Sequence, residues 1–309
     1  MFETHEPAQT PWRRGAFKAM PHQLVFGQTY EDAAIELGAI APGSRVFSIA
    51  GAGYTARALA AAGHRVTAVD ISAVQLAYAQ TLEGGSPPRT GLVERVLGAG
   101  RKLAALCGWT RQKLDVFLQL SSTKEQVEYW DRELDTPTWR VAVDTLLAPR
   151  LLRLCYRGPL VASVPRGFGP LIRGRLRRGW ASHWNQSHPF AALLLLGKPV
   201  EPSGTPKAPI RYVCADAADF LKGCAPRSFD AFALSNLGDG ASPEYWQRLA
   251  AAMAHAGNPQ AQVIWRSFAE PVAGMDGNRA ARDRSLLWGI VGVSPVSNLC
   301  GGGMPCGLG

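Results

Sequence analysis

Gly51, Gly53 and Asp70 are the residues whose types and spacing first suggest chemistry. They lie in RVFSIAGAGYTARALAAAGHRVTAVDIS, Arg45 to Ser72. Two glycines straight after an apolar run let the backbone turn sharply and let a ligand approach the main chain. A carboxylate at the end of the next apolar run stands where ribose hydroxyls are bound in dinucleotide-type folds. The three together describe a site for an adenosine-containing cofactor.

Such a site needs elements to hold it. Val46 to Ala50 is long enough for a buried parallel strand. Tyr54 to Ala62 is rich in alanine, the strongest helix former, and Gly63 stands at a C-terminal cap position. The free N–H groups at the start of that helix face the glycine turn. Val66 to Val69 forms the second strand, closed by Asp70. Gly51, Gly53 and Ala56 satisfy the nicotinamide pattern G-x-G-x-x-G/A, and they equally suit the looser turn of S-adenosylmethionine enzymes. The surroundings favour S-adenosyl-L-methionine. Some forty residues precede the first strand, and they include FGQTYED, Phe26 to Asp32, a polar and aromatic cluster suited to fold over a cofactor. Further on, YVCADAADF (Tyr212 to Phe220) reads as a strand leading to Asp216 and Ala217. SFDAFALSN (Ser228 to Asn236) reads as the next strand, with Ser235 and Asn236 at its carboxyl end, the edge where open α/β sheets bind ligands.

Composition sets limits on the rest. The chain has 309 residues, 47% hydrophobic and 18% charged, which places it among globular rather than disordered proteins. No stretch approaches the roughly 20 apolar residues of a membrane span. The start, MFETHEPAQTPWRR, lacks the basic-then-apolar order of a secretory signal, so the expected location is cytoplasmic. Six cysteines at 107, 155, 214, 224, 300 and 306 form no C-x-x-C pair and no zinc spacing. They read as reduced thiols, with no metal site expected. Much of the net charge of +9 falls in PRGFGPLIRGRLRRGW, Pro165 to Trp180, where arginines alternate with apolar and aromatic residues. That pattern suits either a solvated helical face or a peripheral contact with an anionic membrane, at the inner membrane face. No nucleic-acid module accompanies it, so nucleic acid is not an expected partner.

The strand ending at Asp70 and the next convincing strand, near Arg211, lie too far apart for one crossover. The expected architecture is therefore α/β, a Rossmann-like doubly wound sheet of the class I methyltransferase type with a large, mainly helical insertion. Residues 1–80 form an N-terminal lid and the first half of the core, 81–209 the insertion, and 210–309 the second half. Within the insertion, Thr110 to Leu120, Lys124 to Leu134 and Thr138 to Leu154 have helical spacing, the last interrupted at Pro149. Lys198 to Pro209, with four prolines, is the linker back. A helix over Pro243 to His255 and a strand over Gln262 to Phe268 follow. The glycine-rich end, CGGGMPCGLG from Cys300, fits no regular element.

Several stretches resemble the S-adenosylmethionine-dependent 3-amino-3-carboxypropyltransferases that act on diacylglycerol in betaine-lipid synthesis, together with their uncharacterised bacterial relatives. They are FGQTYED (26–32), SIAGAGYTARAL (48–59), TAVDISAVQLAYAQ (67–80), SFDAFALSNLGDGA (228–241), WRSFAEP (265–271) and DRSLLWG (283–289). Asp70 is followed here by Ile71-Ser72-Ala73 before Gln75, where the lipid enzymes carry Asn-Pro and a glutamine, so the match is closer to the uncharacterised branch. The resemblance implies transfer of the 3-amino-3-carboxypropyl group to an acceptor hydroxyl, on a lipid or a small molecule, with release of methylthioadenosine. A methyltransferase on the same scaffold and a non-catalytic binding protein are the alternatives.

Position along the chain assigns the roles. Asp70 binds the ribose, with Ile71 and Gln75 beside it, and Gly51 and Gly53 admit the cofactor. Asp216 and Ala217 flank the adenine, unless Asp216 only caps a helix. Gln28, Tyr30 and Glu31 cover the cofactor or hold its amino-acid end. Ser235, Asn236 and Asp239 meet the acceptor, unless Asn236 only stabilises a turn, and Arg266 either pairs with the cofactor carboxylate or serves a structural ion pair. Deprotonating a hydroxyl needs a base, for which His188, Asp239 and Tyr30 are the candidates. Neither a Ser-His-Asp order nor a Walker-type phosphate loop is present.

Overall fold

A computed structural model of the chain describes residues 3–4, 22–201, 204–272 and 276–299. The first fourteen residues lie outside this range except Glu3 and Thr4, as do the glycine-rich end, Cys300 and Cys306. Cys107, Cys214 and Cys224 are free thiols.

Short apolar runs separated by helix-forming segments build a seven-stranded sheet with helices on both faces. In chain order the first half comprises β1 (Glu3–Thr4), α1 (Ala34–Ala39), β2 (Arg45–Ile49), α2 (Tyr54–Ala61), β3 (Arg65–Asp70) and α3 (Ala73–Glu83). After the insertion come β4 (Arg211–Cys214), β5 (Phe229–Ala233), β6 (Gly257–Ser267) and β7 (Ile290–Pro295). The strand order is β1-β4-β3-β2-β5-β6-β7, parallel throughout except that β7 runs against β6. From β2 the chain winds first through β3 to β4 and then returns to the other side through β5 and β6. The reversal opens a crevice beyond the carboxyl ends of β2 and β5, the place where such sheets bind ligands. The antiparallel β7 was not expected from the sequence, and β6 begins at Gly257 rather than Gln262.

Successive side chains of a strand point to opposite faces. Phe47, Val69, Val213 and Phe232 therefore pack on one side, and Val46, Ala68, Ala231 and Ile264 on the other, against Leu59 of α2 and Leu76 of α3. Both faces are covered, which is why these strands read as unbroken apolar runs.

The insertion follows α3, whose Ala79 and Leu76 still belong to the sheet's core. It contains α4 (Leu92–Leu106), α5 (Arg111–Gln119), α6 (Thr123–Tyr129), α7 (Pro137–Leu146), α8 (Pro149–Cys155), α9 (Gly158–Ser163), α10 (Phe168–Ser182) and α11 (Pro189–Leu196). Local signals set the boundaries. Thr110, Ser122 and Thr136 each accept the N–H three residues on. The interruption expected at Pro149 is present: α7 ends at Leu146 and α8 starts at Pro149. The expected helix to Leu134 instead finishes in a π turn, Trp130–Leu134, closed by Asp135 N–H donating to Trp130 O at 2.8 Å. The lobe has its own core around Trp109, Phe117, Trp130, Trp139 and Trp180. Beyond β4 and β5 lie α12 (Ala217–Gly223) and α13 (Pro243–Ala256), and α14 (Asn278–Arg282) and α15 (Val296–Leu299) flank β7. Among the described residues no helix is long and apolar enough to cross a membrane.

Candidate functional site

A cavity of about 1080 Å³ opens at the carboxyl edge of the sheet and runs on into the helical lobe. Its floor is the glycine turn. Gly51 has φ +48°, and a side chain there would meet nothing within 4 Å, so this turn leaves open space facing the cavity. Gly53 has φ +87° but does not line the cavity. A Cβ on it would sit 2.8 Å from Ala79 Cβ, so Gly53 serves the close packing of α2 on α3 rather than contact with a ligand.

Asp70 stands at the end of β3 with its carboxylate facing the cavity. One oxygen accepts from Gly51 N–H at 3.1 Å and the other from Ser72 N–H at 2.9 Å. Burial outweighs these donors and pushes its pKa up to about 6. Ile71 and Gln75 follow along the same wall. Gln75 is committed to the lid, since its side-chain amide pairs both ways with the backbone of Phe26, at 3.2 and 2.8 Å.

The lid is the FGQTYED segment, which lies over the crevice. Glu94, unassigned from the sequence, grips it, accepting from the N–H groups of Gly27 (2.8 Å) and Gln28 (3.2 Å) and from Tyr30 Oη (2.9 Å). It also accepts from Gly91 N–H at 2.7 Å, and its third position in α4 was the available signal. Gln28 reaches across from Tyr54 Oη to Val200 N–H. Tyr30 is a poor base: its hydroxyl already donates to Glu94, and burial beside that carboxylate drives its pKa far up.

On the other side of the crevice, Asp216 and Ala217 line the cavity. Asp216 is fully buried and caps α12, accepting from Ala218 and Asp219 N–H at 3.0 and 3.1 Å. Ser235, just past β5, has φ +56°, sparsely populated for a residue with a side chain. Its hydroxyl donates to Glu31, whose pKa burial raises. Asn236 donates to Asp239 at 3.4 Å, and Asp239 also accepts from Ser267 Oγ at 2.5 Å and Phe268 N–H at 3.0 Å. Asp239 is 2% exposed, and burial pushes its pKa up to about 6 despite those three donors. Glu31, Asp70, Asp216 and Asp239 thus give the crevice four carboxyls.

Two expected site residues stand elsewhere. His188 does not line the cavity. Its Nδ1 accepts Ala191 N–H at 3.0 Å as the cap of α11, and burial beside His183 lowers its pKa to about 3. It is neutral, and its Nε2 is buried with no partner among the described residues. Arg266 is fully buried beneath the lid. It donates to Glu36, to Asp283 at 2.7 Å and to Asp32 O at 3.0 Å. Four of its five N–H donors are engaged in this way, and Nη1 also faces Glu31 Oε2 at 3.7 Å, so the guanidinium serves a buried ion-pair cluster rather than the cavity.

The basic segment differs from its expected picture. Arg173 pairs with Asp144 and Asp135, Arg175 is buried against Glu270 and three carbonyls, and Arg177 pairs with Asp131. Phe168, Ile172 and Leu176, whose alternation suggested a lipid surface, face inward as the wall of the cavity. With Val143, Trp139 and Leu97 they make its far arm apolar. Exposed large apolar groups of the lobe lie instead at Leu106, Val116, Val141, Leu151, Leu154 and Trp184.

No family model matches the chain, and neither a curated protein nor a solved structure is found to be similar to it.

Proposed function

We propose that the chain is an S-adenosylmethionine-dependent transferase that moves the 3-amino-3-carboxypropyl group to the hydroxyl of an acceptor with an apolar body. The observation that carries this reading is the continuity of one cavity from the Gly51–Asp70 turn to the apolar arm under α4, α7 and α10. The class I methyltransferase type is supported by the switch point between β2 and β5 and by the antiparallel β7 beside β6.

The residues present fit the cofactor. Open space above Gly51 admits a nucleoside, and Asp70 retains lone pairs toward the cavity for ribose hydroxyls. The acidic groups of the cavity come from the sheet's edge and the lid, and that end favours a cationic ligand, whereas Arg101 and Arg157 come from the helical lobe. S-adenosylmethionine supplies an electrophilic γ-carbon next to a sulfonium, which leaves as methylthioadenosine with the C–S bonding pair as the acceptor oxygen–carbon bond forms. Asp239, ionised above about pH 6, takes the proton of the acceptor hydroxyl. Glu31, steadied by Ser235, faces the amino-acid end. The lid held by Glu94 and Gln75 keeps water from the crevice. A peripheral membrane contact belongs to the same reading, through Leu151 and Leu154 of α8 rather than through the inward-facing 165–180 segment.

The test is to incubate the protein with S-adenosylmethionine and a lipid extract and to identify the released nucleoside by mass spectrometry. Methylthioadenosine above the spontaneous background, lost in Asp70→Ala together with cofactor binding in calorimetry, is the expected result. S-adenosylhomocysteine would establish methyl transfer instead. An Asp70→Ala protein that binds the cofactor normally would remove the site.

A further inference from the structure

Arg157 is a cation of the cavity wall. Its Nε is shielded from solvent, and among the described residues no group accepts a hydrogen bond from that nitrogen. Among the described residues it forms no ion pair, whereas Arg173, Arg175 and Arg177 of the same lobe each meet a carboxylate. A buried guanidinium N–H left unmatched is costly, and the cost is recovered when an oxyanion arrives.

Its place in the fold says which part of the cavity this is. Arg157 immediately precedes α9, and the first turn of that helix is pressed against Gly240. A Cβ on Gly240 would come within 2.6 Å of Leu160 N and 2.8 Å of Pro159 C. Gly240 has φ +77° and directly follows Asp239. The arginine is therefore joined to the base's side of the crevice, not to the Gly51–Asp70 turn. Leu160, Phe168 and Ile172 beside it belong to the apolar arm. Cation and apolar wall together match an amphiphile with a charged head. A planar guanidinium binds phosphate or carboxylate through two parallel hydrogen bonds.

We propose that Arg157 recognises an oxyanion, phosphate or carboxylate, on the head of an amphiphilic acceptor whose chain lies in the apolar arm. That the amphiphile is the acceptor rests on the transferase reading; that the site binds an anionic amphiphile does not.

The experiment titrates decyl phosphate, decanoate and decanol into the full chain, followed by calorimetry and tryptophan fluorescence, with S-adenosylmethionine titrated in parallel. Decyl phosphate or decanoate is expected to bind roughly tenfold or more tightly than decanol. Arg157→Gln is expected to erase that preference, Arg157→Lys to keep part of it, and neither to change S-adenosylmethionine affinity by more than about twofold. The phosphate and carboxylate arms report which head is preferred. A wild-type protein that does not distinguish the anions from decanol overturns the proposal, and this arm needs no variant to fold. A folded Arg157→Gln protein with unchanged anion affinity also overturns it. So does one that loses S-adenosylmethionine instead, because the guanidinium would then hold the methionine carboxylate. Anion binding through Arg157 in a protein that fails to bind S-adenosylmethionine would sink the transferase reading and leave this site standing.

Discussion

On the proposed transferase reading, Asp239 is the group whose ionisation ties the chemistry to pH. Its carboxyl titrates at about 6 in the folded chain and near 3.9 when unfolded. The folded state therefore holds more protons between those values. This group's contribution to stability is full below about pH 4 and is lost as pH rises through 6, roughly 3 kcal/mol in all. In chemical unfolding, Asp239→Asn is expected to lack that loss and so to gain on the wild type between pH 4 and 8. Turnover should rise along a limb centred near pH 6, and the asparagine variant should be at least about a hundredfold slower. A wild-type rate flat from pH 5 to 8 would remove Asp239 as the base. Asp70 and Asp239 were both legible as residues because each closes a strand or follows one. Arg266 was legible only as a position. Its role depends on Glu36, 230 residues away, and Asp283, 17 residues on, both brought to it by the fold, and no local pattern carries that information. Arg157 gave no signal at all, since an arginine before Gly-Pro reads as an ordinary loop residue.

The elements divide along similar lines. The β2–α2–β3 run and the helices α5 and α7 were readable because their caps and periodicities are local: Thr110, Ser122 and Thr136 stand one residue before the helices they cap. β7 was not, because Ile290–Pro295 has only three consecutive buried residues and owes its strand conformation to pairing with β6. His188 shows how a residue type misleads when its element is unseen. Two histidines and an asparagine before a proline suggest a reactive loop, yet Pro189 starts α11 and the histidine caps it. His188→Ala is expected to lower stability by about 1 kcal/mol in thermal unfolding and to leave turnover within about twofold of wild type. Loss of turnover at unchanged stability would return the imidazole to the chemistry.

The molecule is two cores sharing one cavity, the sheet with its helices and the tryptophan-rich lobe. The apolar alternation in 165–180 was visible in the sequence. Which way it faced was decided by Asp131, Asp135 and Asp144, which draw its arginines onto neighbouring helices of the lobe.

The strand order also sets a folding itinerary. Asp70 and Cys214 are partners across β3 and β4, although about 140 residues lie between them, and the entropy of closing that loop must be met before the pairing returns any contact. A lobe that collapses first would bring the two ends together and shorten that loop. The cavity is then the last thing built, because its walls come from both parts. In pulsed hydrogen exchange during refolding, amides of α5, α7 and α10 should become protected before those of β4; the opposite order would mean that the sheet templates the lobe. A ligand that needs the finished cavity can therefore capture only chains that have completed the journey, so early binding cannot rescue a chain stalled halfway.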